Sequence, residues 1–473
     1  MREVTIDAIP LDRLASLLEP ERVARMTEYA ERARDLLRDR TVWNVNATAS
    51  GGGVAEMLQA LLAYSRGAGV DARWLVLDGT PAFFGLTKRL HNNLHGSLGD
   101  GGPLGDAERT TYEDVLGQNL EQLRRHVRPG DVVLLHDPQT AGLVPGVRAL
   151  GAHVVWRSHI GRDTPHELAD TGWAFLRTYV DRADAVIFSR GAYAPAWVDQ
   201  NKVWIIPPSL DPFTAKNTDI PPDDVEAVLR HAGLADTTEG HGRYVFARRD
   251  GSNGEVRRHE GLIEGGRPVP DHARVVLQVS RWDHLKDMGG VLTGFADHLS
   301  RLPDDVHLML VGPETSGVSD DPEGAEVLEE CKGLRLELPE AARQRIHLCS
   351  LPMDDGDENA YLVNALQRHA TVVVQKSLLE GFGLTVTEPM WKAKPVIGSR
   401  IGGIQDQIVH GESGLLLDDP SDLDAFGAAL DRLLGDEALA ARLGENARER
   451  VREQYLGDRH LMQYVDLFEQ LYR

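Results

Sequence analysis

The sequence predicts an α/β protein built from two doubly wound, Rossmann-like parallel-sheet domains in tandem. Three observations carry that prediction. Short β-branched runs alternate with helical periodicity from Thr41 to Pro207, and strands alternating with helices imply a parallel sheet covered on both faces. The same rhythm restarts at Arg274-Val275-Val276-Leu277-Gln278-Val279-Ser280, after a stretch that breaks it. The length of 473 residues suits two or three domains with a large core.

Taken in order, the segment before Thr41 reads as surface helix, with Leu11, Leu14, Leu17 and Leu18 at helical spacing. A strand over 42–46, a glycine loop at Gly51, Gly52 and Gly53, and a helix over 54–65 follow. Val54, Met57, Leu58, Leu61 and Leu62 fall on one face of that helix. Three glycines at a strand-to-helix turn suggest close backbone approach to a ligand, although the G-x-G-x-x-G fingerprint is absent. Further strands are predicted over 73–78, 131–136, 153–158, 185–189 and 202–207, with helices over 112–126 and 171–182.

Ligands of such sheets bind beyond the carboxyl ends of the strands. The polar groups expected there are His136-Asp137-Pro138-Gln139 and Ser158-His159-Ile160-Gly161-Arg162-Asp163. Residues 208–270 interrupt the rhythm and read as a linker. It carries a hairpin around Asp250-Gly251-Ser252-Asn253-Gly254, enriched in arginine and read as a solvated edge. The second series continues with strands over 307–311, 345–349, 371–375, 395–398 and 415–417. The domains are therefore placed at 1–207 and 271–457, and the closing segment 458–473 is expected to pack back on the first.

Composition narrows the function classes. Hydrophobic residues make up 42% and charged residues 26%, as in ordinary soluble proteins. No stretch has the apolar length of a membrane span, and Met1–Pro10 lacks the features of a signal peptide, so a cytoplasmic location is expected. Cys331 and Cys349 alone give no disulfide framework and no metal cluster. The net charge of −22 argues against nucleic acid. An anionic small ligand would have to be held by a few local cations working against the global field.

Such a site is legible in the second domain. The strand over 371–375 leads through Glu380-Gly381-Phe382-Gly383-Leu384-Thr385 into a helix containing Glu388. A helix N-terminus presents unpaired N–H groups and a favourable dipole to an anion. Gly381 and Gly383 allow a ligand against the main chain. Glu380 and Glu388 are acceptor-only groups suited to sugar hydroxyls. Arg281 and Lys286, just beyond the first strand of this domain, supply the cations that would hold a diphosphate. These groups suggest a nucleotide-sugar site.

These residues resemble the retaining glycosyltransferases of the GT-B fold, in the family that includes sucrose and glycogen synthases. The resemblance rests on Arg281 with Lys286, on Glu380 and Glu388, and on Lys394-Pro395-Val396-Ile397-Gly398 before Gly402-Gly403. A narrower similarity lies in the first half. Trp43-Asn44-Val45-Asn46-Ala47-Thr48, Phe83-Phe84, Thr87-Lys88, His91-Asn92 and His136-Asp137-Pro138-Gln139 resemble the trehalose glycosyltransferring synthases, to which fungal-type trehalose phosphorylases are related.

The resemblance implies two Rossmann-like domains facing across a cleft, and transfer of glucose from a nucleotide-glucose donor to free glucose. It implies that Arg281 and Lys286 hold the donor diphosphate, with Gly383, Leu384 and Thr385 beside it. Glu388 would accept from the ribose and Glu380 from the donor glucose. His159 would lie near the reacting carbon, Asp137 would bind the acceptor, and Gly51, Gly52 and Gly53 would cover the donor. The segment His159-Ile160-Gly161-Arg162-Asp163 departs from the family pattern, which leaves acceptor preference open.

No cofactor and no metal are expected, because protein cations can stabilise the leaving group, and Asp223-Asp224, Asp304-Asp305 and Asp354-Asp355 read as turns or caps. No nucleic acid or membrane partner is expected; a homodimer is left open. Retention is expected either by same-face attack or by double displacement through Glu380 or Asp137. A phosphorylase, a glycosyltransferase with another acceptor, and a non-catalytic sugar or nucleotide sensor are the competing readings.

Overall fold

Apolar and β-branched runs form the strands of two mainly parallel sheets in a computed structural model, which describes residues 1–49, 52–236, 242–315 and 322–473. One unit comprises Met1–Leu210 with Tyr455–Arg473, and the other comprises Asp211–Gln454. The segment 208–270 is thus counted from Asp211 with the second unit.

The first unit holds β1 (Arg2–Val4), β2 (Thr41–Asn46), β3 (Asp71–Val76), β4 (Val132–His136), β5 (His153–Ser158), β6 (Ala185–Phe188) and β7 (Val203–Ile205). Their order is β1-β3-β2-β4-β5-β6-β7. β1 runs antiparallel to β3, and the others are parallel. The order reverses between β2 and β4, so the chain leaves the adjacent ends of these strands in opposite directions and opens a crevice there. Asn46 and His136 are the last residues of those two strands.

Several boundaries differ from the sequence reading. β3 begins at Asp71 rather than 73, because it starts in register with β2 (Thr41 opposite Asp71) and Asp71 accepts a hydrogen bond from Thr41 Oγ1 at 2.9 Å. Helix Asp106–Leu123 begins before the expected 112, since Glu108 reaches back to the N–H of Gly105 at 2.9 Å. Helix Pro81–His95 was not foreseen. Thr80 caps it, Pro81 suits its first turn, and Gly96 ends it with φ 84°. Gly52 and Gly53, expected in a loop, already belong to helix Gly52–Gly67. Glycine weakens a helix interior but is tolerated at its first turn. Gly51 lies outside the described residues.

Helix Gly457–Leu471 belongs to the first unit, where the closing segment 458–473 was expected to pack. Tyr464, Leu467 and Phe468 join the apolar cluster formed with Leu134, Val155 and Ile187 under the sheet. Two charged pairs align it on helix Pro20–Leu36, Arg22 with Asp458 (2.7 Å) and Arg32 with Glu469 (2.8 Å).

The second unit holds β10 (Arg274–Val279), β11 (Val306–Pro313), β12 (Ile346–Leu351), β13 (Val372–Gln375), β14 (Val396–Ser399) and β15 (Leu415–Leu417) in one parallel sheet. Its order is β12-β11-β10-β13-β14-β15, with the reversal between β10 and β13. Val276, Leu308, Phe295 and Phe426 lie in its core.

The hairpin of β8 (Val245–Ala247) and β9 (Asn253–Glu255) also belongs to this unit. Arg243, Arg249 and Arg258 are exposed, as a solvated edge requires, but two other arginines are anchored. Arg248 binds Asp355 (2.7 Å), and Arg257 binds Asp354 (2.7 Å) and the fully buried Glu358 (2.6 Å). Asp355 also caps helix Gly356–His369 through the N–H groups of Asp357 and Glu358. The acidic pair thus serves as cap and as hairpin anchor together. Among the described residues no helix is long and apolar enough to cross a membrane.

Candidate active site

In the second unit, Arg281 and Lys286 follow β10, and Glu380 to Thr385 follow β13, on the two sides of the strand-order reversal. β13 ends at Gln375, and Glu380 lies in the turn beyond it. Gly383 adopts φ 85°, which a side chain would strain, and an added Cβ would stand 3.2 Å from Glu380 Cγ. This left-handed residue caps helix Leu384–Trp391. The N–H groups of Leu384 and Thr385 precede the first hydrogen bond of the turn, Val386 N to Gly383 O at 2.9 Å. Donors so placed can receive an anion.

Lys286 Nζ lies 2.7 Å from Glu380 Oε2, with the side chains 16% and 12% exposed. Arg281 is 60% exposed and donates to Asp283 Oδ2 at 2.8 Å. Buried anchors hold this segment. Gln278 Nε2 donates to Lys286 O at 2.7 Å, and Leu378 N donates to Leu285 O at 2.8 Å. The fully buried Lys376 pairs with Asp287 and with Pro420 O. Lys286 and Glu380, 94 positions apart in the sequence, are therefore brought together by two converging loops.

Glu388, in the helix, is 8% exposed and lies 3.6 Å from Lys216 Nζ. Gln367 Nε2 donates to its Oε2 at 3.2 Å. Lys392, one turn further on, donates to Gln367 Oε1 (2.7 Å), Asn217 Oδ1 (3.1 Å) and Glu388 O (3.2 Å). Burial lowers the Lys392 pKa to about 7, against the opposing pull of Glu388. Sequence reasoning missed Lys216, Gln367 and Lys392. The spacing of Glu388 and Lys392 by one helical turn was a usable signal. Nothing local links Lys216 or Gln367 to Glu388.

In the first unit, His136 ends β4 and His159 follows β5. Their rings lie nearly parallel, and His136 Nδ1 is 3.1 Å from His159 Nε2. His136 Nε2 is 3.0 Å from Asn44 Oδ1. With the amide oxygen accepting, His136 must carry its proton on Nε2 and accept at Nδ1. His159 must then donate from Nε2, which leaves its Nδ1 as an acceptor. Burial and the charge of Arg157 lower the His136 pKa to about 3, and the same two causes hold His159 well below its ordinary value. Both imidazoles are neutral near pH 7.

Asp137 occupies a left-handed backbone conformation, φ 64°, rarely adopted by a residue other than glycine. Its Oδ1 accepts from His159 N at 2.7 Å, and its own carbonyl accepts from Trp156 Nε1 at 3.1 Å. Burial raises its pKa to about 7 against the favourable effects of that N–H and of Arg157. Arg157, fully buried, donates to Tyr464 (2.6 Å), Ile206 O (2.9 Å) and His460 Nε2 (3.0 Å). Gly53 lies in the first turn of the helix after β2.

The first half of the chain matches the family model described as trehalose synthase, N-terminal domain, over residues 44–195. Residues 264–450 match the model described as glycosyl transferases group 1. A trehalose synthase of Pyrococcus horikoshii is 32% identical over 461 residues, covering 98% of this chain and 96% of the relative. A trehalose phosphorylase of Pleurotus pulmonarius is 28% identical over 433 residues, which span 86% of this chain and 54% of that protein. Among solved structures, sucrose-phosphate synthase from Thermosynechococcus elongatus superposes with a TM-score of 0.63 at 21% identity, covering 92% of this chain and 99% of that one.

Proposed function

The chain belongs to the trehalose synthase family of glycosyltransferases with the GT-B fold, and from that premise we propose that it transfers glucose, with retention, from a nucleotide-glucose to free glucose to form α,α-trehalose. The single observation that carries the donor assignment is the Lys286–Glu380 contact beside the open N-terminus of helix Leu384–Trp391. It puts a cation for phosphate and an acceptor for sugar hydroxyls at one point.

Breaking the anomeric C–O bond leaves positive charge on the sugar and negative charge on the departing diphosphate. Arg281, Lys286 and the N–H groups of Leu384 and Thr385 stabilise that leaving group, an electrostatic contribution usually among the largest in catalysis. Lys286 then exchanges Glu380 for phosphate, and Glu380 becomes available to the donor glucose. Glu388, fixed by Gln367 and Lys216, accepts from the ribose hydroxyls. His159 offers a neutral Nδ1 acceptor, and Asp137 binds the acceptor sugar.

The acceptor attacks from the face the diphosphate leaves, and a phosphate oxygen takes its proton. The raised pKa of Asp137 argues against double displacement through that residue, because a carboxyl that is part protonated near pH 7 is a weak nucleophile. No metal or further cofactor enters this scheme.

Purified protein given ADP-, UDP- or GDP-glucose with glucose should release the nucleoside diphosphate and form a non-reducing disaccharide, identified by its anomeric NMR signals. Failure with all three donors would overturn the reading. Phosphorolysis is the second reading, favoured by the similarity to trehalose phosphorylase. Phosphate-dependent release of glucose 1-phosphate from trehalose, without nucleotide, would establish it instead.

A further inference from the structure

Where β2 and β3 begin, at the end of the sheet opposite His136, the surface opens into a polar cleft of about 450 Å³. Arginines from four pieces of chain line it. Arg34 lies on helix Pro20–Leu36, Arg38 and Arg40 in the turn after it, Arg73 on β3, and Arg128 before β4. His126 completes the basic lining, and Asp39 and Asp71 are its carboxylates. Asp71 is already engaged, accepting from Arg73 Nε at 3.0 Å and Thr41 Oγ1 at 2.9 Å. Five arginines and two carboxylates thus line the cleft in a chain of net charge −22. Around its rim Arg38 also pairs with Asp35 (2.7 Å), Arg34 lies 4.0 Å from Glu31 and Arg73 lies 3.9 Å from Glu3, which leaves Arg40 and Arg128 as the arginines with no ion pair among the described residues.

Helix C-termini attract cations, which accounts for two of these arginines. Arg34 reaches Ala68 O at 3.5 Å, and Arg40 donates to Leu36 O while stacking on Tyr472. Arg73 sits on a strand with its guanidinium over the Trp43 ring and is held there by Asp71 (3.0 Å) and Glu3 (3.9 Å), so a ligand would share it with those carboxylates. Neither a helix end nor a carboxylate accounts for Arg128, whose exposed side chain has no ion-pair partner among the described residues.

We propose that this cleft binds a small phosphorylated metabolite carrying at least two negative charges, at a site separate from the residues assigned to glucosyl transfer. Guanidinium forks match phosphate oxygens in geometry as well as charge. The volume falls in the range of metabolite pockets, and its concavity suits a compact anion rather than a nucleic-acid backbone. A basic cleft in an otherwise acidic surface also concentrates anions that the remaining surface repels.

The test is calorimetric titration of the full chain carrying Arg281→Ala and Lys286→Ala, which removes the cations assigned to the donor and leaves the cleft intact. Inorganic pyrophosphate and glucose 6-phosphate are the probes. A single equivalent of at least one should bind. Adding Arg128→Ala should weaken that binding by about tenfold, the loss of one charge-assisted contact, with an unchanged thermal midpoint. Arg73→Ala should weaken it similarly. The proposal is overturned if neither probe binds, or if both substitutions leave the affinity unaltered. Because the donor cations are absent throughout, failure of the glucosyl-transfer reading would not alter either result.

Discussion

Lys286 and Glu380 meet at 2.7 Å although 94 positions separate them, each carried by the loop that leaves a strand at the reversal of the second sheet. A cation and an anion so paired can each be claimed by a different part of one substrate. Lys286→Ala should reduce kcat/KM by about a hundred- to a thousandfold, in line with removal of one donor to a developing oxyanion. Steady-state kinetics with the best nucleotide-glucose donor will measure this, and near-normal turnover in folded protein would contradict the phosphate role.

Gln367 holds Glu388 from one side while Lys216 lies on the other. Gln367→Leu removes the hydrogen bond without adding charge. Donor KM should rise by about tenfold with kcat little changed, the pattern of a lost binding contact. A fall in kcat at constant KM would show that Glu388 acts on the chemical step instead.

The order of protons from Asn44 through His136 to His159 is open to direct measurement. Nitrogen-15 NMR of labelled protein should report both rings as neutral and protonated at Nε2. Asn44→Leu deprives a buried N–H of its acceptor, at a cost of about 1–3 kcal/mol in stability. The same substitution should scramble the His159 tautomer. An Nδ1-protonated His159 in the unaltered protein would reverse the assignment of its free nitrogen as an acceptor.

Asp137 gives a pH dependence whose sign is fixed by its raised pKa. The folded protein holds the proton more tightly than the unfolded chain, so this residue's contribution is fully present below 3.8 and is lost as pH rises to about 7. Denaturant midpoints of the unaltered protein should therefore fall relative to Asp137→Asn across that window and then run parallel above it. A relative gain in stability over the same window would count against the buried carboxyl.

Local sequence carried much of the candidate site in the second unit. The β-branched run into Gly383 and the cations just beyond β10 each announce a loop at a strand end. The strand order that places those loops side by side is a non-local property, as are the contacts of Lys216 and Gln367 with Glu388. On the other side, His136 and His159 were legible as residues at strand ends. Their mutual hydrogen bond was not, nor was the buried Arg157 that lowers both pKa values, because its partners His460 and Tyr464 lie more than three hundred positions away. The anchoring of Arg248 and Arg257 was missed for a related reason: their acidic partners sit about a hundred positions downstream.

Helix Gly457–Leu471 completes a unit whose other residues are synthesised first. On the ribosome, Arg157 must wait in an unfinished pocket until His460 and Tyr464 have emerged, whereas the second unit has all its own residues earlier. The order of manufacture and the order of completion are therefore inverted. A chain halted before Tyr455 would leave the ribosome with its later portion able to mature and its earlier one stranded.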